Sequence, residues 1–269
     1  MKKSASRRSV VNQRRAYFEC RYGQLHVRTA FPSTGGFDEL TALVCLHDSP
    51  RSGACFGDFI AEMAADRSVY ACDLPGHGES DPPPGAPSIG DYAAAIGDFL
   101  DALRLREADL VGIGTGAAAA VELAIERPQA IRRVILAQLP FGAAPPAAVP
   151  APAEDGSHLT AAWLSSRDAR GPDEPLDRFA AGFAEELRQG PRSAWGPGAA
   201  AAWPGRERLA LLRQPLLVLR PGRARPDTAA AVRAAVPNAR LHDHPASGAA
   251  LFHLAAAEVA AEVRAFLHR

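Results

Sequence analysis

No run of 18 consecutive apolar residues occurs in this sequence, so nothing in it reads as a membrane span. Neither sign of charge dominates, because 30 Lys and Arg balance 30 Asp and Glu. A general nucleic-acid binder needs a basic surplus to neutralise phosphates, and that class is set aside. Cysteine is scarce. Cys20, Cys45, Cys55 and Cys72 form no CxxC pair and fit no zinc spacing, so no metal is expected and no cofactor is called for. Cys45 and Cys72 fall in apolar, strand-like runs and read as buried thiols, which suggests a reducing, cytoplasmic setting. No internal repeat is present. The opening MKKSASRRSVVNQRR holds six basic residues and no acidic one. A secretory signal would continue into an apolar stretch, and none follows. Residues 1–15 therefore read as a flexible basic arm, with a weak contact to an anionic partner as the alternative.

What is present is an alternation of strand and helix signals. YFECRYGQLHVRTA alternates and turns at Tyr22-Gly23, as an antiparallel hairpin does. ALVCLH is a continuous apolar run, expected of a strand buried on both faces. SVYACDLP, DLVGIG and RRVILAQ are further strands. SIGDYAAAIGDFLDAL carries a serine cap and helical periodicity, and AAAAVELAIERP is a helix stopped by proline. After Leu139 the character changes. PFGAAPPAAVPAPAEDG reads as a loop, and PLDRFAAGFAEELRQG as an amphipathic helix. PLLVLRPG, DTAAAVRAAVP, ARLHDH and AAAEVAAEVRAFLHR then restore the alternation. Such a pattern arises when parallel strands are joined by crossover helices. The expectation is an α/β fold with a mostly parallel sheet and helices on both faces. Its core would span 16–139 and 208–269, with a cap inserted at 140–207.

On these residues the sequence resembles the α/β-hydrolase superfamily. LVCLHDSP is similar to the strand and turn that members write as HG plus two residues. DLPGHGESD is close to a family hallmark. LVGIGTGAAAAVELA matches the nucleophile elbow and its helix, and PLLVLRPG and VAAEVRAFL match the last strands and helix. The resemblance covers the chain from about Tyr17 onward and is weakest in the insert. The nearest flavour is the small ester and carbon–carbon bond hydrolases.

The resemblance implies a nucleophile, an acid and a histidine in that chain order. In this sequence each position is substituted. Gly112 and Gly116 bracket Gly114, where the nucleophile would stand, and glycine carries no attacking atom. The acid position falls on Arg225. Asp227 lies two residues on and reads as the N-cap of a helix beginning near Thr228. The histidine position falls on Ala249, flanked by His244 and His253. An oxyanion hole of backbone N–H groups would survive side-chain changes. The resemblance assigns it to Thr115 and to the turn at Asp48 or Ser49. Asp48 stands where the family favours glycine, and a carboxylate there would repel an oxyanion unless turned away or protonated.

Thr115 is a candidate substitute nucleophile, against a helix-start hydroxyl bonded to backbone. His47 is a candidate ligand contact or a packed structural histidine, and His77 reads as structural. In the insert, Asp155, Ser157 and His158 stand together with Trp163 beyond. Ser157 and Trp163 are candidate ligand contacts and His158 a candidate base, against a turn that caps a helix. Whether the chain is an enzyme stays open, and classical serine hydrolysis is not expected. One reading is a non-hydrolytic relative that binds a small apolar carbonyl-type molecule under the cap, in a pocket widened by loss of the nucleophile. The other is a hydrolase or lyase of a small ester or carbonyl compound that uses His158 or His253 as base.

Overall fold

The computed structural model describes residues 13–32, 40–142, 144, 152–171, 174–222, 225, 227–246 and 248–268. Most of the basic arm and most of the proline-rich stretch after Gly142 lie outside these. The first strand, β1 (Arg14–Cys20), begins inside the segment read as arm. It forms a hairpin with β2 (Gly23–Ala30), turning at Arg21 and Tyr22.

Six further strands complete one sheet: β3 (Leu40–Leu46), β4 (Arg67–Cys72), β5 (Ala108–Ile113), β6 (Ile131–Ala137), β7 (Leu216–Pro221) and β8 (Arg240–His244). Their order is β1-β2-β4-β3-β5-β6-β7-β8. The pairings from β4 to β8 are all parallel, and β1 and β2 are the antiparallel edge.

Alternate residues of the parallel strands feed two cores. Val44, Leu46, Leu110, Val134, Leu136 and Val218 face one side. They pack against α2 (Ile89–Ala102), α3 (Thr115–Glu126) and α8 (Thr228–Ala235). Leu43, Cys45, Val111, Ile135, Leu217 and Leu219 face the other, against α1 (Gly57–Met63) and α9 (Ala256–Leu267). In that second core the Phe252 ring lies 4.7 Å from Phe56 and 5.2 Å from Phe59. Burying each such ring contributes about 2 kcal/mol. The serine cap of α2 is a full capping box, with Ser88 and Asp91 bonding each other's backbone N–H.

Among the described residues, four α-helices lie between β6 and β7: α4 (Ser157–Ala169), α5 (Leu176–Gln189), α6 (Trp195–Ala202) and α7 (Gly205–Leu209). The far end of this insert is tied to α3, where Trp203 Nε1 and Arg208 Nε donate to Glu122 at 2.7 and 2.8 Å. The boundary expected at 207/208 falls inside α7. Among the described residues no helix is long and apolar enough to cross a membrane.

Candidate functional site

The turns after β3, β5, β6 and β7 meet at the carboxyl edge of the sheet, where open α/β sheets place their ligands. The turn after β5 is Gly114, with φ +55° and ψ −120°. A side chain disfavours that conformation, and glycine adopts it freely. Gly112 and Gly116 let α3 lie close beneath, since a Cβ on Gly116 would come within 2.1 Å of the Leu46 carbonyl oxygen.

The space beside Gly114 is filled. A Cβ built on Gly114 would lie 2.0 Å from Asp48 Oδ1. That carboxylate oxygen accepts the Thr115 N–H at 2.8 Å and the Ser49 N–H at 2.9 Å. These two amides are the donors expected to receive an oxyanion, and here Asp48 itself occupies them. Two expectations are corrected. Asp48 acts as acceptor in the hole, not as one of its donors. The bare Gly114 also leaves no widened pocket, because the Asp48 side chain from the neighbouring turn fills the space beside it.

Burial pushes the Asp48 carboxyl above its ordinary pKa, and the hydrogen bonds from Thr115 and Ser49 and the charge of Arg51 pull it back only in part. Between the unfolded and folded values the native chain holds a proton that the unfolded chain has released. Stability therefore falls as pH rises through that window, and the loss is complete above the folded value. Asp48→Asn keeps an acceptor oxygen and removes the charge. It is expected to raise the urea midpoint at pH 7, with the gain vanishing as pH falls to about 4, the ordinary carboxylate range. A gain independent of pH would contradict this.

Next to it, the Ser49 hydroxyl donates to His77 Nε2 at 2.6 Å, while His77 Nδ1–H donates to the Pro75 carbonyl at 3.2 Å. The pair has the outline of a nucleophile and its base. Burial, helped by His47, lowers the His77 pKa to about 3, which makes the ring a feeble proton acceptor. A general base works best with a pKa near the operating pH, roughly four units higher.

His47 was a candidate ligand contact. It is fully buried, its Nε2 accepts the Leu74 N–H at 2.8 Å, and its Nδ1–H donates to the Asp48 carbonyl at 2.9 Å. Neither nitrogen is left for a ligand, so it braces the turn that carries Asp48. Thr115 is buried at the start of α3, beside the carboxylate its amide holds.

Two cavities meet at Asp48, Ser49 and Gln138. The first, about 290 Å³, is walled by Leu139, Phe141, Pro197, Ala200 and Val218, with Gly114 and Thr115 at its base. The second, about 430 Å³, includes the polar groups of Arg51, Cys55, Arg178, Glu185 and His253. Helix α6 roofs the junction, for a Cβ on Gly196 would lie 2.4 Å from Ser49 Oγ.

The cap residues are placed elsewhere. Asp155 accepts the Ser157 N–H at 2.9 Å, and His158 Nδ1 accepts the Ala153 N–H at 3.0 Å. Trp163 packs edge-on against Phe179 and Phe183 at 4.8 and 5.1 Å. None of the three candidates Ser157, His158 and Trp163 lines either cavity. Asp227 sits at the N-cap of α8 without capping it, since its carboxylate pairs with Arg206 and Arg225. His244 pairs with Glu258 at 3.2 Å. Of the histidine candidates, His253 lines one of these two cavities, and it shares that cavity with Asp48. Among the described residues no cluster of three His, Cys, Asp or Glu side chains could hold a metal ion.

Residues 43–262 match the profile described as the alpha/beta hydrolase family. This chain belongs to the alpha/beta hydrolase family. Its fold is shared with an enol-lactonase from Burkholderia xenovorans, at TM-score 0.76 and 18% identity over 94% of this chain and 100% of that one. A carboxylesterase from Bacillus subtilis superposes at TM-score 0.67 and 19% identity over 96% and 92%. In sequence, 95 residues are 32% identical to an uncharacterized protein of Mycobacterium tuberculosis, covering 35% of this chain and 28% of that protein. A 2-hydroxymuconate semialdehyde hydrolase of a Pseudomonas species is 42% identical over 77 residues, 28% of this chain and 27% of its own. These matches thus span under a third of the relatives' lengths.

Within this α/β-hydrolase chain, sequence reasoning overlooked Arg51, Gln138 and Glu185 as cavity residues. Arg51 and Gln138 sit just past strand ends, in the turns after β3 and β6, and that position was the available signal. Glu185 lies on α5, and nothing in its spacing sets it apart from the other acids of that amphipathic helix.

Proposed function

We propose that this α/β hydrolase-fold protein has given up serine-type attack and uses the site to hold a small apolar carbonyl-type molecule beneath the insert. The carrying observation is the Asp48 carboxyl, which stands within 2.0 Å of where a side chain on Gly114 would begin and accepts both the Thr115 and Ser49 amides. Arg225 and Ala249 at the other two relay positions support the same reading. The apolar walls of the first cavity suit a hydrocarbon or aromatic body, and Ser49 and Gln138 offer polar contacts to a carbonyl oxygen. Lactones, esters and semialdehydes, the compound classes in the names of the relatives, are all carbonyl compounds.

A second reading is catalysis by other groups. One observation favours it: His253 lines the cavity it shares with Asp48, and its Nδ1 is buried without a hydrogen-bond partner among the described residues. Burial and the nearby Arg178 lower its pKa, so the ring is neutral and able to accept a proton. In this reading His253 is the base, and His158 is held in its own turn.

Treatment with a fluorophosphonate probe followed by intact-mass spectrometry, with a thermal-shift assay beside it, tests the first reading. The expected result is no adduct, together with a raised melting temperature in butyrophenone, a neutral apolar ketone. An adduct on Ser49, Thr115 or any other hydroxyl would overturn the proposal.

A further inference from the structure

The second cavity contains a cation that makes no direct ion pair among the described residues. Arg51 follows the turn that carries Asp48 and is half-buried, and it makes no ion pair with any described residue. Arginines around it are matched, Arg178 with Asp58 at 2.9 Å and Arg188 with Glu79 at 2.7 Å. Asp48 is the nearest acid along the chain, and its Oδ1 is taken by two backbone amides. Glu185 lines the same cavity and feels the Arg51 charge, but it bonds the Ser52 hydroxyl and makes no direct ion pair with Arg51.

The guanidinium lies directly against a glycine of α5. Gly182 lies in the interior of α5, where glycine costs about 1 kcal/mol relative to alanine. A Cβ there would stand 1.2 Å from Arg51 Nη1 and 2.4 Å from Cζ. The missing side chain is a notch in which the guanidinium lies. Phe179, three residues earlier on α5, places its ring 6.0 Å from Arg51 Cζ. A half-buried charge without a direct ion pair is costly, and a ligand that supplies one lowers that cost.

We propose that Arg51, seated in the Gly182 notch, is a carboxylate-binding subsite, so that the ligand is an apolar carbonyl compound that also bears a carboxylate. The reading rests on the function proposed above for the first cavity. The two cavities meet at Asp48, Ser49 and Gln138, so one molecule can set its apolar body among Leu139, Phe141 and Val218 and extend its acid past Gln138 to Arg51. A planar guanidinium fits a carboxylate with two parallel hydrogen bonds. Glu174 and Glu185 line the same cavity and disfavour a doubly charged phosphate.

Two probes of equal skeleton test this by titration calorimetry: 3-benzoylpropionate and butyrophenone, which lacks the carboxylate. The native chain is expected to bind the acid at least about tenfold more tightly, the scale of one charge-assisted hydrogen bond. Arg51→Gln is expected to erase that preference and leave butyrophenone affinity unchanged, which also shows the variant is folded. Gly182→Ala, which expels the guanidinium from its notch, is expected to do the same. Equal affinity of the native chain for the two probes would overturn the subsite and leave the apolar cavity standing. Preference that survives Arg51→Gln would also overturn it. If neither probe binds, the apolar-cavity reading falls, and the subsite with it.

Discussion

Gly114→Ser is expected to destabilise this protein and not to make it a hydrolase. The new Cβ would overlap the Asp48 carboxyl, 2.0 Å from Oδ1, at a φ of +55° that side chains disfavour. Backbone strain and overpacking together cost about 3 kcal/mol. For a chain of this length that lowers the melting temperature by about 5–10 °C. The partner of the clash is known, so the loss should be reversible. Asp48→Gly in the same chain vacates the niche and is expected to return much of the stability, giving a strongly non-additive cycle. Hydrolysis of p-nitrophenyl acetate by Gly114→Ser should rise by less than about a hundredfold, the low end of what one positioned base supplies. Additive stabilities, or a larger gain in turnover, would show that the niche is open or that a base faces it.

Asp73→Ala should cost more than any other single change considered. Asp73 is buried at the end of β4 and gathers the loop that follows. Its carboxylate accepts His26 Nδ1–H at 2.8 Å, the Gly53 N–H at 2.7 Å and the Glu79 N–H at 3.0 Å, and its carbonyl accepts the Ser80 hydroxyl at 2.8 Å. Burial alone would raise its pKa, but the His26 hydrogen bond, the His47 ring and the Glu79 amide outweigh it and hold the carboxyl below its ordinary value. Truncation leaves buried donors unpaired, and breaking such a network costs about 3–5 kcal/mol. The same loop carries His77, which holds Ser49, so the variant should also loosen the floor of both cavities. The depressed pKa adds a sign. The carboxylate's extra stabilisation is present above the unfolded value, about 4, and is lost as pH falls below it. The deficit of Asp73→Ala in urea should therefore narrow toward acid pH. A deficit below about 1 kcal/mol, the scale of an ordinary hydrogen bond, would contradict the network.

The scaffold was legible because its signals are local and repeated. The apolar strands, the Ser88 cap and the run of alanines after Gly116 each dictate an element, and β–α alternation dictates how the elements connect. The site was less so. Gly114 at the elbow and Asp48 in place of the family's glycine were both visible as substitutions. That they are complementary was not, since 66 residues and two crossovers separate them. A bare Cα at one position and a carboxyl at the other share a single volume. Asp155, Ser157 and His158 drew attention through close spacing in the chain, which in fact serves a local turn. Arg51 and Gly182 belong together for the same reason as Asp48 and Gly114, and pattern within a short window could not pair them either.

The most direct test is a carbon-13 NMR titration of the Asp48 carboxyl with the amide signals of Ser49 and Thr115 followed in parallel. If the carboxyl fills the vacated niche, it titrates above the usual aspartate value of about 3.9, and both amides shift with the same midpoint. A carboxyl that titrates at the usual value, with the two amides indifferent to it, would mean that the niche beside Gly114 stands empty.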